Sequence, residues 1–465
     1  MNIEQCTIFD YLYPKYKVNK PIRLIELFAG YGSQYLALKY LNANVKHYKI
    51  CEWAIKSIQA YNDLHIQDYF DYSGDLSDDN VLDILIKLGV SINYNEPATR
   101  GQLKRQNFRK VFNNIIATNN LVNIQNVKGE DFKIVDKDKY DYIMTYSFPC
   151  QDLSLAGKGK GMADTSTRSG MLWEVERILN ELKKLNQLPQ ILLLENVPQV
   201  HGSDNVKHFN KWQLTLEKLG YKSYFQDLIA TDYGIPQTRN RCFMISILGK
   251  YSYTFPKPIP LKLKLKDMLE DEVDEKYYLS DKMVKYCLSN SKETENYIEW
   301  KEKGRLDIDC RAYKEGKNVG TITTTPKIKI VTNAGNKPTD NFTYNKALKE
   351  TLEQNKIKKD ISFVDSYNKK IRDDGLSSTI TTRINDSNNS FIVIKNATKK
   401  GYENKISNGL RIRKLTPLEV WRLMGVKDED YYKVAKNQSN SSLYHLAGDS
   451  IVVNVLMAIF KELLL

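Results

Sequence analysis

The sequence predicts an α/β fold: a mostly parallel sheet covered by helices on both faces, followed by a smaller, β-containing domain. Three observations predict this class. Short apolar runs alternate with helix-length amphipathic segments through the first half of the chain. These runs are nearly continuous, as is typical of strands that are buried on both faces. After Lys250 the alternation stops and Pro- and Lys-rich segments such as FPKPIPLKLKLKDML take over, which indicates a second domain.

A strand, a helix and a second strand are predicted first. IRLIELFAG (22–30) is an apolar run that ends in a glycine turn, SQYLALKYLN (33–42) has apolar residues at helical spacing, and HYKICEW (47–53) is again strand-like. Three further strands and a long helix are predicted at YDYIMTYSF (140–148), QILLLENV (190–197), RCFMISIL (241–248) and MLWEVERILNELKKL (171–185). The carboxyl ends of parallel strands meet at one sheet edge, where open α/β folds bind their ligands.

The predicted domain organisation follows from these changes in sequence pattern. Residues 1–250 are predicted to form the first domain, with a basic, helical insertion at about 81–136. Residues 251–405 form the second domain, and residues 406–465 return to complete the first.

Two phrases within the second domain, at 319–331 and 376–393, share a Thr/Ile alternation that suits half-exposed strands. Whether they are one β unit used twice stays open. In the last segment, a capping box of Thr416 and Glu419 begins a helix, and an apolar helix over 448–465 ends the chain.

The charge favours a polyanionic partner. Lys and Arg number 69 and Asp and Glu number 56, which gives a net charge of +13, and such an excess steers association with nucleic acid. A Lys- and Asn-rich composition that reflects an AT-rich genome explains the charge equally well. The insertion phrase TRGQLKRQNFRKVFNNII is likewise open between a solvated helix face, which we favour, and a phosphate clamp.

The cysteines indicate a reducing compartment. Six are scattered without C-x-x-C spacing, which argues against a disulfide framework and a structural zinc site; they are Cys6, Cys51, Cys150, Cys242, Cys287 and Cys310. The N-terminus lacks a signal-peptide pattern, and no segment reaches the ~18 uninterrupted apolar residues of a membrane span. We therefore expect a cytoplasmic protein with no metal and no membrane partner.

Polar and glycine residues at the ends of the first strands indicate a nucleoside site. The turn FAGYGS (28–33) lets backbone amides approach a ligand, Glu52 at the next strand end could accept from ribose hydroxyls, and Trp53 offers a stacking face. Asp75, near the expected end of a third strand, could accept from an exocyclic amine. Each feature also has a structural explanation, and it is their order along the chain that favours a cofactor.

A cysteine follows the strand at 140–148, in the phrase SFPCQDLSLAG. Cys150 is expected at the ligand-binding edge, preceded by the rigid Pro149 and followed by a glycine-rich loop. A lone cysteine is more often a small buried hydrophobe. It acts as a nucleophile only when its surroundings lower its pKa.

Two further phrases carry charged groups to the same edge. Glu195 in ENVP ends a strand, where a carboxyl with a raised pKa could share a proton with a ring nitrogen. Arg239 and Arg241 in QTRNR alternate at the start of the last strand, and paired guanidinium groups there suit a carboxylate, a phosphate or a polarised carbonyl. Either arginine alone is also compatible with an ordinary ion pair.

Taken together, FAGYGS, EW, GDL, PCQ, ENV, QTRNR, RKLTPLE and GDSIVVNV resemble, in order and spacing, the DNA (cytosine-5)-methyltransferase family. The resemblance covers nearly all of 20–250 and 410–465. It implies a Rossmann-like catalytic domain that binds S-adenosylmethionine and, at 251–405, a target-recognition domain. Three departures are Ser33 and Ser147 in place of common glycines, and Asp449 in place of a common asparagine near the cofactor.

The resemblance implies a reaction on a cytosine that is flipped out of duplex DNA. Cys150 would attack carbon 6, Glu195 would contact the ring nitrogen and amine, Arg239 would lie beside the carbonyl, and Arg241 would order the site. A methyl group would then pass to carbon 5, leaving S-adenosylhomocysteine. The residues implied to bind the cofactor are Phe28, Ala29, Gly30, Tyr31, Gly32, Glu52, Trp53, Asp75, Leu76, Pro149, Ser450 and Val452.

The expected partner is double-stranded DNA, bound by a monomer in a bacterial or phage-infected cell, where it would associate with the nucleoid. A cognate restriction endonuclease would act separately. Two alternatives stay open: a tRNA cytosine-5 methyltransferase and a catalytically silent DNA-binding regulator. The long 251–405 region favours DNA, because reading a duplex sequence needs a dedicated surface.

Overall fold

A computed structural model describes residues 13–149, 169–280, 348–352, 354, 361–365, 370–380, 390–394 and 411–465. The predicted nucleophile Cys150, its glycine-rich loop and the phrase at 319–331 lie outside the described residues. The chain divides into two compact units. Unit 1 comprises Met1–Leu263, Thr379–Thr382 and Val420–Leu465, and unit 2 comprises Lys264–Ser378 and Arg383–Glu419. The functional division at 250 and 405 stays a prediction.

Unit 1 contains a six-stranded sheet. Its strands are β1 (Ile22–Leu27), β2 (Val45–Cys51), β3 (Asp141–Tyr146), β4 (Ile191–Asn196), β5 (Tyr221–Ile229) and β6 (Asn240–Leu248). The order is β2-β1-β3-β4-β6-β5; β1 to β4 run parallel, and β5 and β6 form an antiparallel pair at one end. The predicted mostly parallel sheet is confirmed. All side chains of β3 and β4 are buried, which explains their continuous apolar runs.

Helices cover both faces of this sheet. The helices of the chain include α1 (Ser33–Tyr40), α2 (Ile55–Tyr61), α3 (Asp78–Leu88), α4 (Arg100–Leu103), α5 (Phe108–Ala117), α6 (Leu172–Lys184), α7 (Val206–Leu219), α8 (Pro417–Leu423), α9 (Asp428–Ala435), α10 (Asn440–Asp449) and α11 (Val453–Leu464). On one face α6 and α7 pack with Ile25 and Leu27 of β1. Glu26 alternates to the opposite face, where its carboxyl accepts from the Tyr35 amide of α1.

The prediction that a third strand ends near Asp75 was wrong. Among the described residues 62–77, the chain forms a single π-helical turn at Asn62–Ile66 and then turns that lead into α3. Asp75 is exposed in one of these turns. A Ser77 N-cap, whose hydroxyl accepts from the Asn80 amide, begins α3.

The basic insertion is helical, as predicted, and its arginines are used within the chain. Arg100 forms ion pairs with Asp79 and Asp83 of α3. Arg109 pairs with Asp78 and donates to the carbonyl oxygens of the preceding turns. For these two arginines the structure favours intramolecular pairing over a phosphate clamp.

Unit 2 contains a four-stranded antiparallel sheet, and α8 follows its last strand. The strands are β7 (Ile361–Asp365), β8 (Lys370–Arg372), β9 (Ser390–Ile394) and β10 (Arg411–Lys414), in the order β10-β9-β7-β8. The predicted β-containing region is therefore confirmed. The predicted capping box is also present: the Thr416 amide donates to Glu419 over 2.8 Å, and the Thr416 hydroxyl accepts from the Glu419 amide.

The apolar helix predicted over 448–465 begins five residues later than expected and is confirmed from Val453 to Leu464. Helix α10 ends at Asp449 and α11 begins at Val453. Asn440–Leu464 is apolar enough by length and composition to cross a membrane, but 72% of its most apolar window is buried inside the protein. Helix α11 packs against α1, which supplies the partner surface that its apolar face requires.

Candidate active site

The carboxyl edge of the sheet brings the predicted acid and one predicted arginine together. Glu195 is the penultimate residue of β4. Because β6 is antiparallel to β4, Arg241 at the start of β6 reaches the same edge. The Arg241 Nε lies 3.2 Å from the Glu195 Oε1, and their side chains are 17% and 10% exposed.

The environment of Glu195 favours its protonated form more than water does. Burial raises the pKa of this carboxyl, and the charges of Arg241 and Arg239 offset only part of that increase. A carboxyl in this state can hold a proton closer to neutral pH and share it with a basic ring nitrogen.

The adjacent Asn196 fixes the segment that leads to Cys150. Its side-chain amide donates to the Phe148 carbonyl over 3.0 Å, and its Oδ1 accepts from the Val197 amide. The end of β4 is thereby tied to the chain that follows β3. The sequence pattern did not indicate this role of Asn196, although the residue lies in the ENVP phrase. Pro149 is half-buried, and Cys150 lies outside the described residues.

The two arginines of QTRNR have different surroundings. Arg239 is 5% exposed and donates to three backbone carbonyls, those of Ile380, Gly448 and Ser450. These bonds hold Arg239 to unit 1 backbone, while Arg241 makes the direct contact with Glu195. The arrangement therefore favours Arg241 over Arg239 as the group that faces a substrate carbonyl.

The glycine turn after β1 has the backbone conformation of a ligand-binding loop. Phe28, Gly30 and Gly32 all have positive φ, at 58°, 56° and 82°. A Cβ on Gly32 would lie 2.6 Å from both the His65 imidazole and the Tyr61 ring, so only glycine fits there. A Cβ on Gly30 would meet nothing within 4 Å, which leaves open space beside this turn.

Two residues of the turn contribute backbone rather than exposed side chains. Ala29 is 5% exposed and Tyr31 is 1% exposed. The Tyr31 ring stacks on Trp421, with ring centroids 4.8 Å apart, and its carbonyl oxygen lies 2.8 Å from the His65 Nε2.

Glu52 lies beside this open space. Its Oε2 accepts from the Gly30 amide over 2.8 Å and its Oε1 from the Ala54 amide over 2.7 Å. Burial raises the pKa of Glu52 to about 7, and the charge of Asp449 adds to the increase. A carboxylate offers about four lone-pair sites, so Glu52 keeps capacity to accept from a ligand hydroxyl. Asn120, which sequence reasoning missed, fixes the Glu52 backbone through its amide and carbonyl.

Trp53 and Leu76 pack against the same apolar cluster, while Asp75 between the turns is exposed. Arg109 holds this loop: its guanidinium donates to the Ser73 and Leu76 carbonyl oxygens, both over 2.8 Å. We had no sequence signal for this role, because Arg109 comes more than thirty positions later.

The C-terminal turn is held by its own backbone. The Ser450 hydroxyl donates to the Ala447 carbonyl, and the buried Val452 caps α11. The Oδ2 of the unusual Asp449 lies 3.1 Å from the His445 Nε2. The charge of Asp449 raises the pKa of Glu52, so a second negative charge acts on this side of the site.

These features fit a nucleoside cofactor. The open space beside Gly30, the carboxylate of Glu52 and the half-buried Trp53 supply room, hydrogen-bond acceptors and a stacking ring at one sheet edge.

Comparison with known proteins decides the family. A model of C-5 cytosine-specific DNA methylases matches residues 103–465. The chain is also 32% identical over 452 residues to the type II methyltransferase M2.ScrFI of Lactococcus lactis subsp. cremoris, covering 95% of this chain and 99% of that protein. The chain belongs to the C-5 cytosine-specific DNA methylase family. It is therefore a DNA cytosine-5 methyltransferase whose methyl donor is S-adenosylmethionine.

Other similarities agree with this family. The orphan methyltransferase M.SssI of Spiroplasma monobiae is 35% identical over 291 residues, which cover 60% of this methyltransferase and 72% of the relative. Among solved structures, the Entamoeba histolytica methyltransferase EhMeth matches with a TM-score of 0.52 at 14% identity, covering 96% of this chain and 98% of that one. The S. pombe Dnmt2 methyltransferase matches with a TM-score of 0.50 at 16% identity, covering 95% and 98%. These two likenesses concern the fold alone.

Proposed function

We propose that this methyltransferase modifies carbon 5 of a cytosine within a specific duplex DNA sequence, with Cys150 as the covalent nucleophile. The observation that carries the proposal is the buried Glu195 carboxyl, held by Arg241 at the carboxyl edge of the sheet. The hydrogen bond from Asn196 to the Phe148 carbonyl supports the proposal, because it joins the residue after Glu195 to the segment that leads to Cys150.

The target base must leave the helix, since its reacting face is hidden while it is stacked. The Cys150 thiolate bonds to carbon 6 while Glu195 gives its proton to the ring nitrogen. The electron pair of the carbon 5–carbon 6 double bond is thereby made available at carbon 5. S-adenosylmethionine, when bound, supplies the methyl group as an electrophile and becomes S-adenosylhomocysteine. Loss of the carbon 5 proton to water then re-forms the double bond and expels the thiolate, and the ring nitrogen returns its proton to Glu195.

Arg241 has two functions in this proposal. Its guanidinium holds the Glu195 carboxyl in one orientation, and its remaining N–H groups can donate to the cytosine carbonyl. We accordingly exchange the two roles expected from the sequence: Arg241 takes the substrate contact, and Arg239 positions the backbone around Gly448 and Ser450.

The cofactor is assigned to the edge beside β1 and β2. Glu52 would accept from the ribose hydroxyls, Trp53 and Leu76 would contact the adenine, and Asp75 would accept from its amine. The backbone of the 28–32 turn would approach the methionine part, with Pro149, Ser450 and Val452 completing the wall.

Duplex DNA is the assigned substrate, and residues 251–405 would read the target sequence. The net charge of +13 supports duplex binding. Because M2.ScrFI is a type II methyltransferase, we assign this enzyme to DNA protection. It would act as a cytoplasmic monomer, separately from any endonuclease, and its methyl transfer would need no metal.

Bisulfite sequencing of DNA from cells that express the protein tests this proposal. We expect protected cytosines at one short sequence motif, and none in cells that express Cys150→Ser at the same level. Protection without a shared motif would contradict sequence-specific recognition. Protection by the Cys150→Ser variant would contradict the assigned nucleophile.

A further inference from the structure

Three side chains that the proposed methylation does not use meet next to the catalytic edge: His201, Asp227 and Cys242. Their ligand atoms, an imidazole nitrogen, a carboxylate oxygen and a thiol sulfur, all lie within 4.8 Å of one another. The His201 Nε2 and the Asp227 Oδ1 are 2.9 Å apart.

The sheet fixes two of these ligands with respect to each other. Asp227 of β5 lies directly opposite Cys242 of β6 in the antiparallel ladder, and Cys242 also lies opposite Asn196 of β4. Directly opposed residues of a sheet have their Cβ atoms about 4.5–5.5 Å apart, a suitable spacing for two ligands of one ion.

The third ligand comes from a short, well-packed turn. His201 is the last residue of the 3₁₀ turn Pro198–His201, which follows β4. Its ring contacts those of Phe209 and Phe225, with centroids 5.9 and 5.5 Å away. These contacts hold the imidazole beside Asp227.

We propose that His201, Asp227 and Cys242 form a binding site for a zinc ion, with water in the fourth position. Nitrogen, oxygen and sulfur ligands suit Zn²⁺, whereas Mg²⁺ and Ca²⁺ prefer oxygen alone. Ligand atoms bonded to one zinc ion at roughly 2.0–2.3 Å lie closer together than 4.8 Å, so sub-ångström shifts of side chains suffice. His201 and Asp227 are 29% and 33% exposed, which gives the ion a path from solvent.

Binding requires two proton changes. The Cys242 thiol loses its proton to solvent and coordinates as thiolate. The His201 Nε2 binds the ion through its lone pair, so a proton on that nitrogen must move to Nδ1 or be released. Zinc affinity should therefore increase as pH rises, with net release of protons.

The zinc content and cobalt spectrum of the purified full-length protein test this site. Loading with Co²⁺ should give a thiolate-to-cobalt charge-transfer band, which Cys242→Ala abolishes. Asp227→Asn, at a partly exposed position, should bind Zn²⁺ more than about tenfold more weakly than the parent protein, since a ligand is lost. Zinc should also raise the melting temperature of the parent protein more than that of Asp227→Asn.

The chain contains a matched control. His445 and Asp449 lie 3.1 Å apart, and the metal-ligand group that the described residues form does not include them. His445→Gln should leave cobalt absorption and zinc affinity unchanged. Equal zinc affinity in the parent protein and Asp227→Asn, or a cobalt–thiolate band that persists in Cys242→Ala, would overturn the proposal.

Discussion

Two Arg–Glu pairs, one in each unit, have opposite designs. In unit 1, Glu195 and Arg241 share one contact of 3.2 Å. In unit 2, Arg413 donates to both oxygens of Glu419, each over 2.7 Å, and the side chains are 1% and 0% exposed. Glu419 also accepts from the backbone amides of Thr416 and Glu270.

The pKa shifts of Glu195 and Arg413 agree with this difference between the two pairs. Burial raises the pKa of Glu195, because its partners compensate incompletely. Burial alone would lower the pKa of Arg413, but its bonds to Glu419 raise it above the ordinary value. A pair joined through both carboxylate oxygens stabilises one conformation, whereas a pair joined by a single contact keeps capacity for a substrate. We therefore assign chemistry to the first pair and structure to the second.

The largest expected effect is on catalysis by Glu195→Gln. The glutamine keeps the size of the side chain but cannot deliver the proton, so methyl transfer should fall by about 10²- to 10⁴-fold. Tritiated-methyl incorporation into duplex DNA measures this loss. Cofactor affinity should stay unchanged, and the free energy of unfolding should change little or increase, because a buried charge is removed.

The opposite result is expected for Glu419→Gln. Arg413 would keep its charge in a buried site without a carboxylate, and such a loss typically destabilises a protein by about 3–5 kcal/mol. Urea denaturation measures the change. The contrast between the two pairs would break down if Glu195→Gln destabilised the protein as much as Glu419→Gln.

Arg241→Gln should have an intermediate effect. Loss of a charged hydrogen bond, worth about 1.5–3 kcal/mol, should slow methyl transfer by about 10- to 100-fold. Because Arg241 lowers the pKa of Glu195, its removal should raise that pKa further. The alkaline limb of the pH–rate profile should then move to higher pH. Arg177→Gln, which breaks a partly exposed ion pair with Glu174 and Glu181, is the control and should leave the profile in place.

The smallest expected effect concerns Glu52, whose pKa is raised to about 7. It must be ionised to accept from both ribose hydroxyls, so binding should weaken as protonation increases towards low pH. The Kd for S-adenosylmethionine should increase by about tenfold from pH 8 to pH 6. Asp449→Asn should shift the midpoint to lower pH, because the Asp449 charge raises the pKa of Glu52. A pH dependence that persists in Glu52→Gln would contradict the assignment.

The sequence predicted those features that depend on local pattern. The apolar runs of β3 and β4 are continuous because both strands are buried on both faces, and the turn after β1 needs glycine at 32 for a positive φ. The strand ends consequently indicated the sheet edge at which Glu195 and Arg241 meet.

Features that depend on distant contacts could not be predicted in this way. Arg239 and Arg241 look equivalent in the sequence. Tertiary contacts distinguish them: Arg239 donates to the carbonyls of Ile380, Gly448 and Ser450, whereas Arg241 contacts Glu195. Asn120 and Arg109 act on Glu52 and the 73–76 turn through the tertiary fold. Asp75 of the phrase GDL was expected at a strand end because of its place in the order of phrases, but the chain there forms turns.

Covalent trapping tests most directly the claim that this edge performs nucleophilic catalysis. A duplex that contains 5-fluorocytosine in the target motif cannot lose its carbon 5 substituent as a proton, so the adduct should persist when S-adenosylmethionine is present. We predict a stable complex whose DNA is attached at Cys150, formed much more slowly by Glu195→Gln and at the parent rate by Arg177→Gln. An active enzyme that forms no adduct, or one that attaches the DNA at a different residue, would contradict the account.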